Sequence, residues 1–562
     1  MDERLRSIKA IWLALAIGIF LVVLLSYIIP HQGGTIPSSV IRFDLIQNAS
    51  FQELLPIQTV DLGASGRSLF IALTMNTHVL FANLHLGGAW IAVFTLIFFL
   101  RTRQKRFERL ARSVTLFNVI LFSAGATFAA TAMFFFIGLY PQFASNMFHV
   151  YWWPLFAEAI LFGLIIFFLY TFWFTWGKIS TGWHLFLGFG YAISVFFQVL
   201  MINTIAAGML TPNNANIVFT NQGIFTMPVN TLLSFWFNPT VFPLQMHRLA
   251  AAVAAVGFII AMFAMLHYND RKDPGSRRYW DWVGTYGMTW GILGFIFQPV
   301  LGLAYMMMIN NVQPSAFDFM MHGPRAWAML LMVSILSGMM ICSVIYFMDR
   351  KEQIINMKET RFFNRLFILL LVAAVISAII LVQPGWLGPL NQVAIVEQSS
   401  LAVPWAIGPF PIGVMDWKYV ALGSFMIIGA ILTLLGAIFV SDVHSTNWGN
   451  LSRSTRWAGI LVGMLGTWIV PVMGYVREGG RAPWLTYQII PVPGMGQFPT
   501  PIPVAQIFLA WAVLITLAVL VFWFVSRATA YHPEEKERID ETEPYAPPPK
   551  PEDYTPQGKQ KY

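Results

Sequence analysis

The chain has 562 residues, of which 57% are hydrophobic and 11% charged, and its formal charge is +8. So apolar a composition excludes an ordinary soluble globular protein. The positive residues stand in short clusters between apolar spans, which is the distribution of membrane-protein loops and excludes a nucleic-acid-binding surface.

Apolar stretches of about 20 residues, enough to cross ~30 Å of hydrocarbon, predict spans near 10–29, 68–100, 113–140, 150–176, 183–209 and 240–266. Further spans follow near 282–309, 324–348, 363–384, 415–440, 456–475 and 503–526. The first follows Arg4, Arg6 and Lys9 and lacks a small-x-small cleavage site, so it reads as an uncleaved anchor. Alternate connections carry Arg101, Arg103, Lys105, Arg106, Arg109 and Arg112, then Arg271, Lys272, Arg277 and Arg278, then Arg350, Lys351, Lys358 and Arg361. The opposite connections, 141–149, 211–237 and 385–413, contain no Lys or Arg. The positive-inside rule therefore predicts that both termini are cytoplasmic. The expected fold is an all-α polytopic protein of about 12 transmembrane helices, set in the cell inner (cytoplasmic) membrane. Segments 30–66, 211–237, 385–413 and 476–502, rich in Pro, Gly and Asn, are expected to form ordered outer loops. From about Arg527 the chain becomes polar, with a PPPKP run, and a disordered cytoplasmic tail is expected.

Cys342 is the sole cysteine, which rules out a disulfide framework, a cysteine zinc site and covalent haem attachment. Any metal or haem must be held by His, Met, Glu or Tyr. Within the spans such groups are few: His78, His85, Glu158, His247 and several methionines, with Glu478 just past the end of its helix. At ~1.5 Å per residue most lie within ~15 Å of the outer surface, so four helices contribute to one polar layer. Haem best accounts for isolated histidines in apolar helices without cysteines. Its iron needs an axial imidazole or thioether, its macrocycle an apolar slot and its propionates a cationic edge, for which Arg248, Arg477 and Arg481 are available. The competing reading of each histidine is an interhelical hydrogen-bonding group.

GYVREGGRAPW, Gly474 to Trp484, ends an apolar helix with a carboxylate and two arginines. It resembles the GWxxxExGRQPW signature of cytochrome bd oxidase subunit I as ExGRxPW from Glu478 to Trp484, one residue shorter upstream and with Tyr475 in place of Trp. ALTMNTH, Ala72 to His78, is similar to the family's ALTAMYH, and NPTVFPLQMH, Asn238 to His247, keeps its NP and histidine spacing. PLFAE, Pro154 to Glu158, resembles its PLAIE. The resemblance implies that His78 is an axial ligand in the oxygen-reactive haem pair and His247 the ligand of a low-spin haem b. It further implies that Met426, 52 positions before Glu478, is the second low-spin ligand. Glu158 would then belong to a proton path, and Glu478 would be the carboxylate at the high-spin haem b. The third haem is d-type or b-type. A second membrane subunit, oxygen as acceptor and quinol or a cytochrome as donor complete the expectation.

The chain divides by this reading into residues 1–64, an added anchor and outer loop; 65–310, helices like the family's first six; 311–414, two additional helices and an outer loop where the family has its quinol loop; 415–526, haem-binding helices with the signature; and 527–562, the tail. A second family glutamate about two turns after the first is missing, and Tyr170, in IFFLY, stands for it. His85 and His149 are additions and, with His78, candidates for an extra metal site, since imidazole suits copper or iron. The alternative for them is a hydrogen-bonded polar layer. The expected function is the catalytic haem-bearing subunit of a cytochrome bd-like oxidase. Its rivals are a related electron-transfer subunit fed by cytochrome c or another complex, and a haem-free twelve-helix transporter, for which paired half-repeats are not evident.

Overall fold

The computed structural model describes residues 63–212, 236–270, 274–322, 327–351, 417–441, 448–481 and 484–491, with short pieces at 217–219, 225–228, 404–407 and 410–413 and single positions at 365, 368–369, 372 and 513. Among the described residues are eleven helices: α1 (Gly63–Thr102), α2 (Lys105–Leu139), α3 (Pro141–Val150), α4 (Trp152–Phe174), α5 (Thr181–Leu210), α6 (Val241–Asp270), α7 (Pro274–Val312), α8 (Pro314–His322), α9 (Trp327–Lys351), α10 (Trp417–Ser441) and α11 (Arg453–Gly479). Three antiparallel pairs accompany them: β1 (Val218–Phe219) with β2 (Phe225–Thr226), β3 (Pro404–Ile407) with β4 (Phe410–Gly413), and β5 (Trp484–Thr486) with β6 (Ile490–Pro491).

Eight of these helices, α1, α2, α4, α5, α6, α7, α10 and α11, are long and apolar enough to cross a membrane, and α9 carries a shorter apolar stretch, Ser334–Met348. The protein is an all-α polytopic membrane protein. Helices suit this setting because every backbone N–H and C=O is satisfied within the segment. The expected spans near 10–29 and 503–526, nearly all of 363–384, the tail and both termini lie outside the described residues. The expected connection 141–149 is instead the short helix α3, which begins on Pro141, where a proline's missing N–H costs nothing.

The chain forms two compact units. One comprises Ala14–Val256, Leu301–Ala326 and Val470–Tyr562 and holds α1 to α5, α8, β5 and β6. In it α1 packs along α2 and α5, and α4 along α5. Its core joins Leu86, Ala89 and Val93 of α1, Ile165 and Leu169 of α4, Tyr191, Val195 and Val199 of α5, and Ala252 of α6. Gly87 lets α1 approach α6, since an added Cβ would overlap the Ala252 carbonyl. Gly177, at φ +70°, makes the turn out of α4 that a side chain would strain. Among the described residues α2 and α4 keep much of their apolar surface exposed, including Phe134, Phe156, Ile160 and Phe167.

The other unit comprises Met1–Leu13, Gly257–Val300 and Trp327–Ile469. Its α6 and α7 segments cross through small residues, Gly257 and Ala261 on one side, Gly287 and Gly291 on the other. A Cβ on Gly287 would lie 2.7 Å from both the Ala261 nitrogen and the Gly257 carbonyl oxygen. This four-residue spacing is the small-residue device by which membrane helices gain backbone contact. Gly287→Leu is expected to cost at least about 1–3 kcal/mol through overpacking, read as a lower melting temperature of the purified protein in detergent.

Candidate functional site

His78 lies on α1, partly buried, and its Nδ1 is 2.9 Å from the Gly125 carbonyl oxygen on α2. A carbonyl only accepts, so Nδ1 carries the proton and Nε2 keeps its lone pair. That bond orients the ring as second-shell carbonyls orient ligating histidines. Glu158 of α4 stands close enough to act electrostatically on His78. Gln198 of α5 donates Nε2–H to Glu158 Oε1 at 2.7 Å.

Two turns along α1 from His78, His85 is buried, with Nε2 2.8 Å from the Tyr191 hydroxyl of α5 and its ring against Phe122. His149 is exposed on α3 and bonds the Ser145 carbonyl of its own helix. The proposed grouping of His78, His85 and His149 around an extra metal is therefore not formed: among the described residues no three potential ligands gather. The physical reason is that His85 is engaged with α5 while His149 is turned outward on a different helix. Tyr170 bonds Ser123 of α2 at 3.0 Å.

His247 sits two turns into α6, and its sequence motif explains its placement. Asn238 accepts the Thr240 N–H at 3.0 Å and donates its amide to the Thr211 carbonyl, so the chain enters α6 through an Asx turn tied to the end of α5. Gly302 of α7 faces the imidazole, and a Cβ there would lie 3.3 Å from His247 Cε1. Gln245, wholly buried one side of the histidine, accepts from Asn203 of α5 at 2.6 Å.

The cationic group lies at the end of α11. Arg477 donates Nε–H to Tyr305 of α7 at 3.2 Å, Nη1–H to Glu478 at 3.0 Å and Nη2–H to the Ala206 carbonyl of α5. Arg481 pairs with the other Glu478 oxygen and donates Nη1–H to the Trp484 carbonyl at 2.7 Å. Arg248, one residue after His247, lies within electrostatic reach of Arg477, Tyr305 and Glu478. An anion at a helix C-terminus is unfavourable and cations are favourable, so Glu478 depends on its two arginines. Three guanidiniums against one carboxylate leave an excess of two positive charges on this edge. Gly480 completes the turn because a Cβ would press to 3.2 Å on the Ala316 carbonyl and on Met320 Cβ of α8. Ala482 and Pro483 of the signature lie outside the described residues. Beyond the turn, Thr486 bonds the buried Tyr151 hydroxyl at 2.6 Å and Tyr487 N–H bonds the Met209 carbonyl, seating β5 on α5. Burial pushes the Tyr151 phenol up, so it remains protonated.

Met426, half-buried on α10, belongs to the other unit. Gln198, Tyr191, Tyr305 and Gln245 are site residues that sequence reading missed, since neutral polar residues within apolar helices carry no signal of their partners.

Residues 67–323 match the family model described as cytochrome bd terminal oxidase subunit I. The signature at 474–484 lies beyond the matched segment. No curated protein matches the chain. Among solved structures, bd oxidase from Geobacillus thermodenitrificans is similar at 16% identity and a TM-score of 0.47, over 82% of this chain and 98% of that one. The matched segment carries His78, Glu158 and His247, so this part of an integral membrane protein is similar to cytochrome bd terminal oxidase subunit I.

Proposed function

We propose that this chain is the haem-bearing catalytic subunit of a bd-type complex that reduces oxygen to water. The observation that carries this reading is His78: its Nδ1 proton is held by the Gly125 carbonyl, which leaves Nε2 as a lone-pair donor in a partly buried position. The residues present fit haem. His78 and His247 offer imidazoles on separate helices, and the excess of positive charge at Arg248, Arg477 and Arg481 suits carboxylate propionates. When bound, haem supplies the one-electron and oxygen chemistry.

In this reading His78 and Glu478 serve the oxygen-reactive haem pair, a high-spin haem b and a third haem of d or b type. His247 serves the low-spin haem b, for which Met426 is the candidate second ligand from sequence. Glu158 holds a proton for delivery at its carboxylate, oriented by the Gln198 amide. Arg477 and Arg481 hold the Glu478 carboxylate in place, and Arg477 ties the end of α11 to α5. A second membrane subunit covers part of the apolar surface left open on α2 and α4.

Quinol or a cytochrome is the donor. The test is oxygen uptake by the purified complex supplied in turn with a soluble quinol and with reduced cytochrome c. A robust quinol-driven rate assigns a quinol oxidase. A rate with cytochrome c alone assigns the other donor, and no uptake with either, from haem-loaded complex, contradicts the oxidase reading.

A further inference from the structure

Three features of the first unit are not used by the site as described. His85 and Tyr191 are buried and bonded to each other at 2.8 Å. Asn118 of α2 is 0% exposed, and neither its carboxamide oxygen nor its nitrogen has a hydrogen-bond partner among the described residues. It is accommodated only because Gly88, three residues after His85, has no side chain: a Cβ there would collide with the Asn118 oxygen. A buried amide with both ends unsatisfied costs about 1–3 kcal/mol per group, so such a site is stable when small polar molecules, water above all, bond to it.

The third feature is a polar row on α5. Tyr191, Ser194 and Gln198 are spaced i, i+3, i+7 and share one face of the helix. Ser194 is buried, and Gln198 ends the row on Glu158. On α1, His85 and His78 are likewise seven residues apart, so the two helices repeat a polar tier every ~10.5 Å. The lower tier is His85 with Tyr191, and the upper is Gln198 with Glu158, at the level of His78 on α1. The lower tier lies toward the basic α1–α2 turn, the cytoplasmic end by the positive-inside rule.

We propose that His85 and Tyr191 form a proton-relay station which, with water held at Asn118, feeds Glu158 along the α5 row. The inference rests on the reading of Glu158 as the proton-delivery group. One proton moves per step and no electron moves. With Nδ1 as the protonated nitrogen, His85 Nε2 accepts the Tyr191 hydroxyl hydrogen bond. A proton delivered to Tyr191 Oη by water lets Tyr191 pass its own proton to Nε2. The imidazolium then releases its Nδ1 proton to the water line, and tautomer exchange restores the start. The line ends at the Glu158 carboxylate beyond Ser194 and Gln198.

The test uses the haem-loaded complex, chemically reduced, mixed with oxygen, and followed by a pH-sensitive dye for proton uptake and by visible absorbance for haem oxidation. His85→Gln retains a hydrogen-bonding group for Tyr191 yet cannot turn over a proton at that position. It is expected to slow proton uptake at least ~10-fold, the lower end of general acid–base contributions being ~100-fold, with the haem spectrum intact. Tyr191→Phe is expected to slow it similarly, and the double variant no further, because the two act in one line. Uptake at the parental rate in His85→Gln overturns the proposal, as does slowing that comes only with loss of haem. Glu158→Ala separates the two levels. If it is slow while His85→Gln is fast, the relay is wrong and the Glu158 reading stands; if Glu158→Ala is itself fast, the Glu158 reading fails.

Discussion

His247→Ala is expected to abolish the low-spin haem absorption and to lower oxygen uptake by more than about 100-fold, beyond the 10–100-fold typical of losing a supporting residue, whereas His85→Ala keeps that absorption. The contrast follows from placement. His247 is held by the Asn238 turn that ties α6 to α5, and Gly302 lets α7 approach its ring without covering it with a side chain. His85 is already bonded to Tyr191 in the helix core. Alanine at 247 leaves the surrounding helices intact and removes only the imidazole, so the protein should still fold and the spectrum alone should change. Gly302→Val gives a graded version of the same effect: its branched side chain displaces the His247 ring and should shift the low-spin band while retaining the other haems.

Glu478→Ala is the second large effect. It leaves Arg248, Arg477 and Arg481 facing one another without their shared anion. Removing one member of a fully buried ion pair costs about 3–5 kcal/mol, but the Glu478 side chain is 37% exposed, and solvent screening lowers the expectation to about 1–2 kcal/mol. The stability loss is therefore modest, and the functional loss should dominate: high-spin haem content and oxygen uptake both fall. Glu478→Gln is expected to restore packing but not charge, so a melting temperature near the parent's with uptake still low would separate the two contributions.

Much of this molecule was legible because membrane burial is costly. Apolar runs marked eight spans that the described residues contain, and an ionisable group inside such a run stands out at once, as His78, Glu158 and His247 did. What sequence could not show is partnership. The Gly125 carbonyl that sets the His78 tautomer is 47 residues away, and the Ala206 carbonyl that receives Arg477 is 271 away. Neither carbonyl has a side-chain identity to read. The choice between an extra metal site and a hydrogen-bonded layer meets the same limit: seven-residue spacing relates His85 to His78 along α1, but it does not reveal that Tyr191 on α5 bonds His85 or that His149 is exposed on α3. Helix α3 carries no span signal because its ten residues fall below the length that a span requires.

The most direct measurement is the reduced-minus-oxidised visible difference spectrum of the purified complex, with extracted haem assayed alongside. Bands of a low-spin b-type haem and of at least one high-spin haem, the former lost in His247→Ala, are the predicted result. A protein that folds, resists heat as expected and shows no haem difference spectrum contradicts the account and returns the chain to the transporter class.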